Sequence, residues 1–268
     1  MQFREQALAK LQSTSDLGTA ATLARPRSLV ALLMVTVLVA LGTLWAFTGS
    51  IPRQVTVPGI LTYGEGSYTL DSPVSGQITG VFAQQGTTFP AQAPLFTVQV
   101  DSTLQTVRAF SGGRTTAILA QVGQVVTAGT KLAVVERTSG PSDPLVAVLY
   151  VPTSSAGLIT QGSSVDLDLR SAPAQQYGVL RGVVQSLSQF SQTEGQISSF
   201  LGDDQLARQF SGQGQPMQVV VQLLTTPGTT SGFRWSTRAG PPYLIDSRTL
   251  VSASVHLPSV RPMSWVLS

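Results

Sequence analysis

The sequence predicts a mainly β protein carried by one N-terminal transmembrane α-helix. Three observations lead there. The run SLVALLMVTVLVALGTLWAF, residues 28–47, is 20 residues long without a charge, about 30 Å as a helix and so as thick as a bilayer core. The remainder is rich in turn formers, with 25 Gly and 16 Pro in 268 residues, and β-branched residues fill the short stretches between them. Two of those stretches, starting at Ser75 and Ser111, repeat one another.

Composition removes several function classes. Charged residues make up 11% of the chain, against roughly 25% in an ordinary soluble domain. The formal net charge of +3 is spread thinly, without the basic stripe that a nucleic-acid binder needs. There is no cysteine, which excludes disulfides, thiol catalysis, thiolate metal sites and iron–sulfur clusters.

The apolar run has an orientation. Arg25 and Arg27 precede it, with Arg4 and Lys10 further upstream, and Trp45 and Phe47 close its far end. The positive-inside rule therefore puts residues 1–27 in the cytoplasm, 28–48 across the cytoplasmic membrane and the bulk of the chain outside it. A cleaved signal peptide is the alternative. Its apolar core would span roughly 7–15 residues before a small-residue cleavage site, and FTGSIPRQ offers a poor one. An uncleaved single-pass anchor is expected, with Leu29, Leu33, Val37, Leu41 and Trp45 as anchor residues.

Next comes the repeat. SGQITGVFAQQGTTFPAQAPLFTV aligns with SGGRTTAILAQVGQVVTAGTKLAVV. The Ser-Gly pairs are 36 apart and the later matches (Gly86 with Gly123, Leu95 with Leu132) are 37 apart, which implies one inserted residue. Each half reads as strand, turn, turn and strand, with Gly76, Gly86, Gly112 and Gly123 as structural turns. A half this small cannot bury a core alone, so the two are expected to close into a flattened sandwich.

This pattern resembles the two halves of the biotinyl/lipoyl-like domain of HlyD-type membrane fusion proteins, the periplasmic adaptor subunits of bacterial secretion systems. In carrier domains of this kind the resemblance implies an attachment lysine at the hairpin joining the halves. QVDSTLQTV, residues 99–107, has none, and Lys131 lies in the second half at the wrong place, so no cofactor is expected. Adaptors that reach an outer-membrane duct insert a long α-helical hairpin between the halves, and this bridge leaves no room for one. A compact β-turn is expected there.

Beyond Pro144, VAVLYV (146–151) is apolar on both faces, while VDLDL (165–169) alternates as a half-exposed strand. SSAGLITQG reads as a short helical turn capped by Gly162. Gly178 and Gly182 in YGVLRG read as bends, and the three glycines are expected at barrel turns. This block resembles the β-barrel of the same adaptors. Residues 191–216 read as a polar loop in which Phe200, Leu201, Leu206 and Phe210 line one short helix starting near Asp203–Asp204; acids at a helix start are stabilised by the backbone dipoles there. The order WSTRAGPPYLI, TLVSASVHL, RPMSWVL is similar to the C-terminal region of adaptors of bacteriocin exporters of the nitrile-hydratase-leader type. The expected layout is a lipoyl-like domain at 72–136 and a β-barrel or membrane-proximal β region at 49–71, 137–190 and 217–268.

The residues assemble no familiar catalytic pattern. His256 is the one histidine, on the polar side of VSASVHL, and HExxH and GxSxG are missing. AGTKLA lacks phosphate-loop spacing. Tyr63, Glu65 and Glu136 stand isolated along the chain. No catalytic, cofactor or metal site is therefore expected. The resemblance implies an adaptor of an ABC-type peptide or bacteriocin exporter, with the transporter, the exported peptide and further copies of itself as partners. Two other readings remain at this stage: an enzyme or carrier with a covalent arm, and a cell-envelope module binding glycan or peptide through Trp235, Tyr243 and Trp265.

Overall fold

The computed structural model describes residues 26–48, 50–138, 140 and 143–260. The cytoplasmic segment expected at 1–27 lies outside them up to residue 25, as does Trp265. The chain divides into two compact units, and the larger runs from Arg53 to Pro258.

Helix α1 spans Pro26–Thr48. Its stretch Val30–Thr48 is long and apolar enough to cross a membrane, and none of it is buried against protein. The hydroxyls of Thr36, Thr43 and Thr48 donate back to the carbonyls of Leu32, Val39 and Leu44. That satisfies the polar groups of the span from within, as hydrocarbon requires. Strand β1 (Ile51–Tyr63) follows two residues later.

Eight strands then build the sandwich: β2 (Ser67–Asp71), β3 (Gly76–Val81), β4 (Thr88–Phe89), β5 (Pro94–Val100), β6 (Thr103–Arg108), β7 (Gly113–Ile118), β8 (Val125–Val126) and β9 (Lys131–Arg137). One sheet has the order β2-β9-β7-β4 and the other β6-β5-β3-β8. Counting β2 with the first half and β6 with the second, each sheet takes two strands from each half, so neither half holds a complete sheet. Leu70, Ile78, Leu95, Phe96, Val98, Val107, Val126 and Leu132 fill the space between the sheets.

The repeat runs in a constant register of 37 residues, from β3 to β7, β4 to β8 and β5 to β9. No residue is inserted: Gly113, not Gly112, is the counterpart of Gly76. Both open a strand rather than form a turn, and a Cβ at Gly113 would lie 2.5 Å from the carbonyl oxygen of Glu136. Gly112 lies between the bend at Phe110 and Ser111 and the start of β7. The strand β2, read from the sequence as part of the barrel region, pairs with β9 in the sandwich.

The remaining strands are β10 (Leu145–Val151), β11 (Ser164–Leu169), β12 (Leu180–Ser191), β13 (Met217–Leu223) and β14 (Leu250–Val260). With β1 they close a barrel in the order β1-β10-β13-β12-β11-β14. Inward residues alternate along each strand, as with Val165, Leu167 and Leu169 of VDLDL and Ala147, Leu149 and Val151 of β10. The outer residues of β10, Val146, Val148 and Tyr150, are also buried, which accounts for a strand apolar on both faces.

Their cover is a pair of helices, α4 (Glu194–Leu201) and α5 (Asp204–Ser211), preceded in the chain by the single turns α2 (Thr153–Ala156) and α3 (Ala174–Tyr177). Residues 191–216 are therefore not a polar loop with one helix. Phe200 and Leu201 end α4, Leu206 and Phe210 belong to α5, and Ile197, Leu201, Ala207 and Phe210 bury against the barrel wall. Thr193 and Gln196 form a capping box on α4, Gly202 ends it in the left-handed conformation, and Asp203 caps α5.

Candidate functional site

The bridge 99–107 is a hairpin tip. Val100 pairs with Thr103, leaving Asp101 and Ser102 as a two-residue turn, with Asp101 at φ +53°. No side chain of this turn can carry a prosthetic group through an amide, as a lysine would. Lys131 is occupied elsewhere: its Nζ lies 3.0 Å from Asp204 Oδ2 at the start of α5.

The glycines expected at turns divide into two groups. Gly86, Gly123, Gly162 and Gly178 have φ between +79° and +88°. Gly76, Gly112 and Gly182 do not. Gly162 does not cap α2, which ends at Ala156 with Gly157 as its cap; it sits in the turn leading into β11 and donates to the carbonyl of Val184. Gly182 lies inside β12, opposite Val165 and Leu223. A Cβ there would meet Val221 Cγ1 at 2.6 Å, so the position needs close approach rather than a bend. Of the expected anchor residues, Leu33, Val37, Leu41 and Trp45 are exposed along α1, and Leu29 lies in its first turn.

The most constructed polar site joins the sandwich to the barrel. Glu136 of β9 is fully buried. Its Oε1 accepts from Thr62 Oγ1 at 2.9 Å and from the Tyr63 N–H at 3.4 Å, and its Oε2 accepts from Ser247 Oγ at 2.5 Å. Beside it, the Arg114 guanidinium grips Asp246 with two hydrogen bonds, 2.5 and 3.0 Å. These bonds hold the Asp246 carboxyl below the usual carboxylate range. Arg248 donates to Asp203 and to the Leu201 carbonyl, tying the same segment to the helix pair. Ser198 and then Lys131 likewise lower Asp204. Sequence reading left Tyr63 and Glu136 as isolated; the 73-residue separation hid a contact made by the fold.

His256 is not solitary either. Its Nε2 lies 3.0 Å from Asp166 Oδ2, and Asp166 also pairs with Arg181. The three sit on adjacent strands β14, β11 and β12, with Asp166 directly opposite Arg181. No serine hydroxyl is hydrogen-bonded to this histidine among the described residues, so the cluster reads as a cross-strand ion pair on the wall. Among the described residues no group of three or more His, Asp or Glu could hold a metal ion. Trp235 is not a surface aromatic: it is 5% exposed and donates to Ser231 Oγ at 2.9 Å. Tyr243 donates to the Ser171 carbonyl.

No protein-family model and no curated protein matches the chain. Solved structures do. MacA from Actinobacillus actinomycetemcomitans is 9% identical and superposes with a TM-score of 0.52, over 80% of this chain and 81% of that one. A MacA-MexA chimera carrying the Pseudomonas aeruginosa MexA α-hairpin domain is also 9% identical, with a TM-score of 0.52 over 80% of this chain and 84% of that one. ZneB from Cupriavidus metallidurans is 12% identical, with a TM-score of 0.48 over 78% of this chain and all of that one. The fold is that of MacA. The chimera is named for an α-hairpin domain, whereas this chain turns back at Asp101–Ser102.

Proposed function

We propose that the protein is a membrane-anchored adaptor of the membrane fusion class, working with an ABC-type exporter of peptides or bacteriocins. Helix α1 crosses the cytoplasmic membrane with its N-terminus inside. The barrel and sandwich stand outside, where several copies form a collar on the exit path. The observation that carries this reading is the pairing of an unburied apolar helix with a MacA-like barrel and an intertwined sandwich. The role is non-catalytic: the polar clusters at Glu136 and Asp166 are satisfied internally and serve as fasteners. With a two-residue turn where duct-reaching adaptors carry a helical hairpin, this adaptor stays near its own membrane.

Affinity purification of the tagged full chain tests the reading. It should retain a co-encoded peptide-exporting transporter, and deletion of the chain should abolish peptide export. Normal export in the deletion strain, with no transporter retained, would sink it.

A further inference from the structure

The barrel has two rims, and strand polarity tells them apart. Neighbouring strands are antiparallel around the wall, from β1 through β10, β13, β12 and β11 to β14. The start of β1 therefore shares a rim with the ends of β10, β12 and β14 and the starts of β11 and β13. From Thr48 at the end of α1 to Arg53 in β1 the chain extends at most about 18 Å. This is the rim that the chain ties to α1. Its connections, residues 152–163, 192–193 and 212–216, read PTSSAGLITQGS, QT and GQGQP and hold no charge. Arg53 and Glu194, at the start of α4, border them with opposite signs. The connections of the opposite rim, residues 170–179 and 224–249, hold Arg170, Arg234, Arg238, Asp246 and Arg248.

The uncharged rim also carries two large apolar side chains in the open, Leu158 at 42% exposure and Phe190 at 77%. Phe190 is held out by the fold. Between the pairs Leu187↔Val219 and Ser191↔Met217, three residues of β12 stand against one of β13. The Ser188 hydroxyl closes this bulge, donating to the Phe190 carbonyl at 2.8 Å and accepting from the Phe190 N–H at 3.3 Å. Beyond it the strand is tied down again, with the Gln192 N–H donating to the Pro216 carbonyl at 2.7 Å. Bulges re-aim side chains, and this one turns a phenylalanine out of the wall with both its backbone groups bonded. Such a ring can enter an apolar phase without taking a bare N–H or C=O with it.

We infer that this rim seats on the lipid surface of the bilayer that α1 crosses, with Phe190 and Leu158 entering the boundary between headgroups and acyl chains. Aromatic rings favour that depth. The lack of charge in the connections is what lipid demands, since an ion pressed into the interface loses hydration without gaining a partner. A protein surface makes no such demand. The Ser, Thr and Gln side chains around the two apolar groups stay at headgroup level, where water still reaches them. This inference rests on the membrane-anchored adaptor reading and gives the barrel a lipid partner of its own.

The chain has no cysteine, so a single nitrobenzoxadiazole probe can be attached at a chosen site. Gln189→Cys puts it beside Phe190 and Arg238→Cys puts it on the opposite rim, both at exposed positions. The full chain is reconstituted in phosphatidylcholine vesicles that include phosphatidylcholine spin-labelled near the headgroup end of one acyl chain. The spin label should quench the probe at 189 at least about twofold more strongly than the probe at 238, as shallow insertion of the rim requires. Adding Phe190→Ser to the Gln189→Cys chain should remove most of that excess. The melting temperature should stay unchanged, because the ring is solvated in the fold. Equal quenching at 189 and 238, or quenching that Phe190→Ser leaves as it was, would overturn the inference. Transporter retention is measured on the same variants, and flotation with the vesicles reports α1 separately. A chain that floats and retains the transporter while the 189 probe is unquenched rejects this rim and leaves the adaptor reading standing. Transporter lost in Phe190→Ser with quenching unchanged makes the rim a protein contact and overturns the lipid assignment.

Discussion

At the scale of single residues, the internal repeat provides its own control. Gln92 and Gly129 occupy equivalent places 37 residues apart, at φ +64° and +87°. Left-handed backbone strains a residue with a Cβ but not glycine. A Cβ on Gly129 would touch nothing within 4 Å, so its replacement tests backbone conformation without a clash. Gly129→Ala should cost about 1 kcal/mol. Gln92→Gly should gain about 0.5 kcal/mol, less than the strain relieved, because glycine also loosens the unfolded chain. Urea unfolding of the two variants measures both. A gain at 92 without a loss at 129 would contradict backbone strain as their shared cause. The same comparison shows what the sequence made legible. Gly86 and Gly123 stood out because both halves use glycine. The αL site at 92 was hidden because one half uses glutamine, and the match of Gly76 to Gly112 came from a chance Ser-Gly beside the true counterpart, Gly113.

At the scale of elements, strands were readable where burial is one-sided and helices were misread where packing is long-range. VDLDL alternates because one face meets the barrel core. The pair α4–α5 read as a polar loop because Ile197, Leu201, Ala207 and Phe210 bury against a wall whose residues, such as Ile60 and Val148, lie far off in the sequence. The junction elements were invisible for the same reason: Glu136 meets Thr62 and Ser247 across 74 and 111 residues. Its removal has a definite consequence. Glu136→Ala leaves the buried Thr62 hydroxyl and the half-buried Ser247 hydroxyl without their acceptor and should cost about 3 kcal/mol, whereas Glu136→Gln keeps an acceptor and should cost about 1 kcal/mol. Asp246 adds a dependence on pH. Its pKa is depressed chiefly by the Arg114 hydrogen bonds, so its contribution is complete above the unfolded carboxylate value near pH 4 and is lost as pH falls through the lower folded value. Since the Asp246 side chain is 63% exposed, Asp246→Asn should cost less than about 1 kcal/mol at pH 7. That difference should close at a pH below the lowered folded value. Urea midpoints at the two pH values decide it, and a gap of the same size at both would remove Asp246 as the titrating group.

At the scale of the whole molecule, the question is whether sandwich and barrel act as one body. The chain passes between them at residues 64–66 and 138–144, and unaided domains so joined would move independently. The fasteners work against that. Glu136 reaches β1 and the 246–248 segment, Arg114 holds Asp246, and Lys131 holds Asp204 at the tip of the helix pair. All three come from the sheet β2-β9-β7-β4. In the other sheet the counterparts of Arg114 and Glu136, 37 residues earlier, are Gln77 and Gln99, both exposed. One repeat therefore carries the coupling charges and the other does not, although the backbone is nearly duplicated. Scanning calorimetry of the outer portion in the full chain should give one cooperative transition for the wild type. A Glu136→Ala, Arg114→Ala, Lys131→Ala variant should give two, since each body keeps its own apolar core while losing the polar bonds between them. A single transition displaced to lower temperature would mean that apolar contact across the junction suffices, and that the charged fasteners set its geometry rather than its cooperativity. Under the proposed adaptor role, this distinction decides how force is carried. A fastened pair transmits a tilt of the barrel directly to the sandwich tip at Asp101–Ser102, while an unfastened pair absorbs it at the crossings.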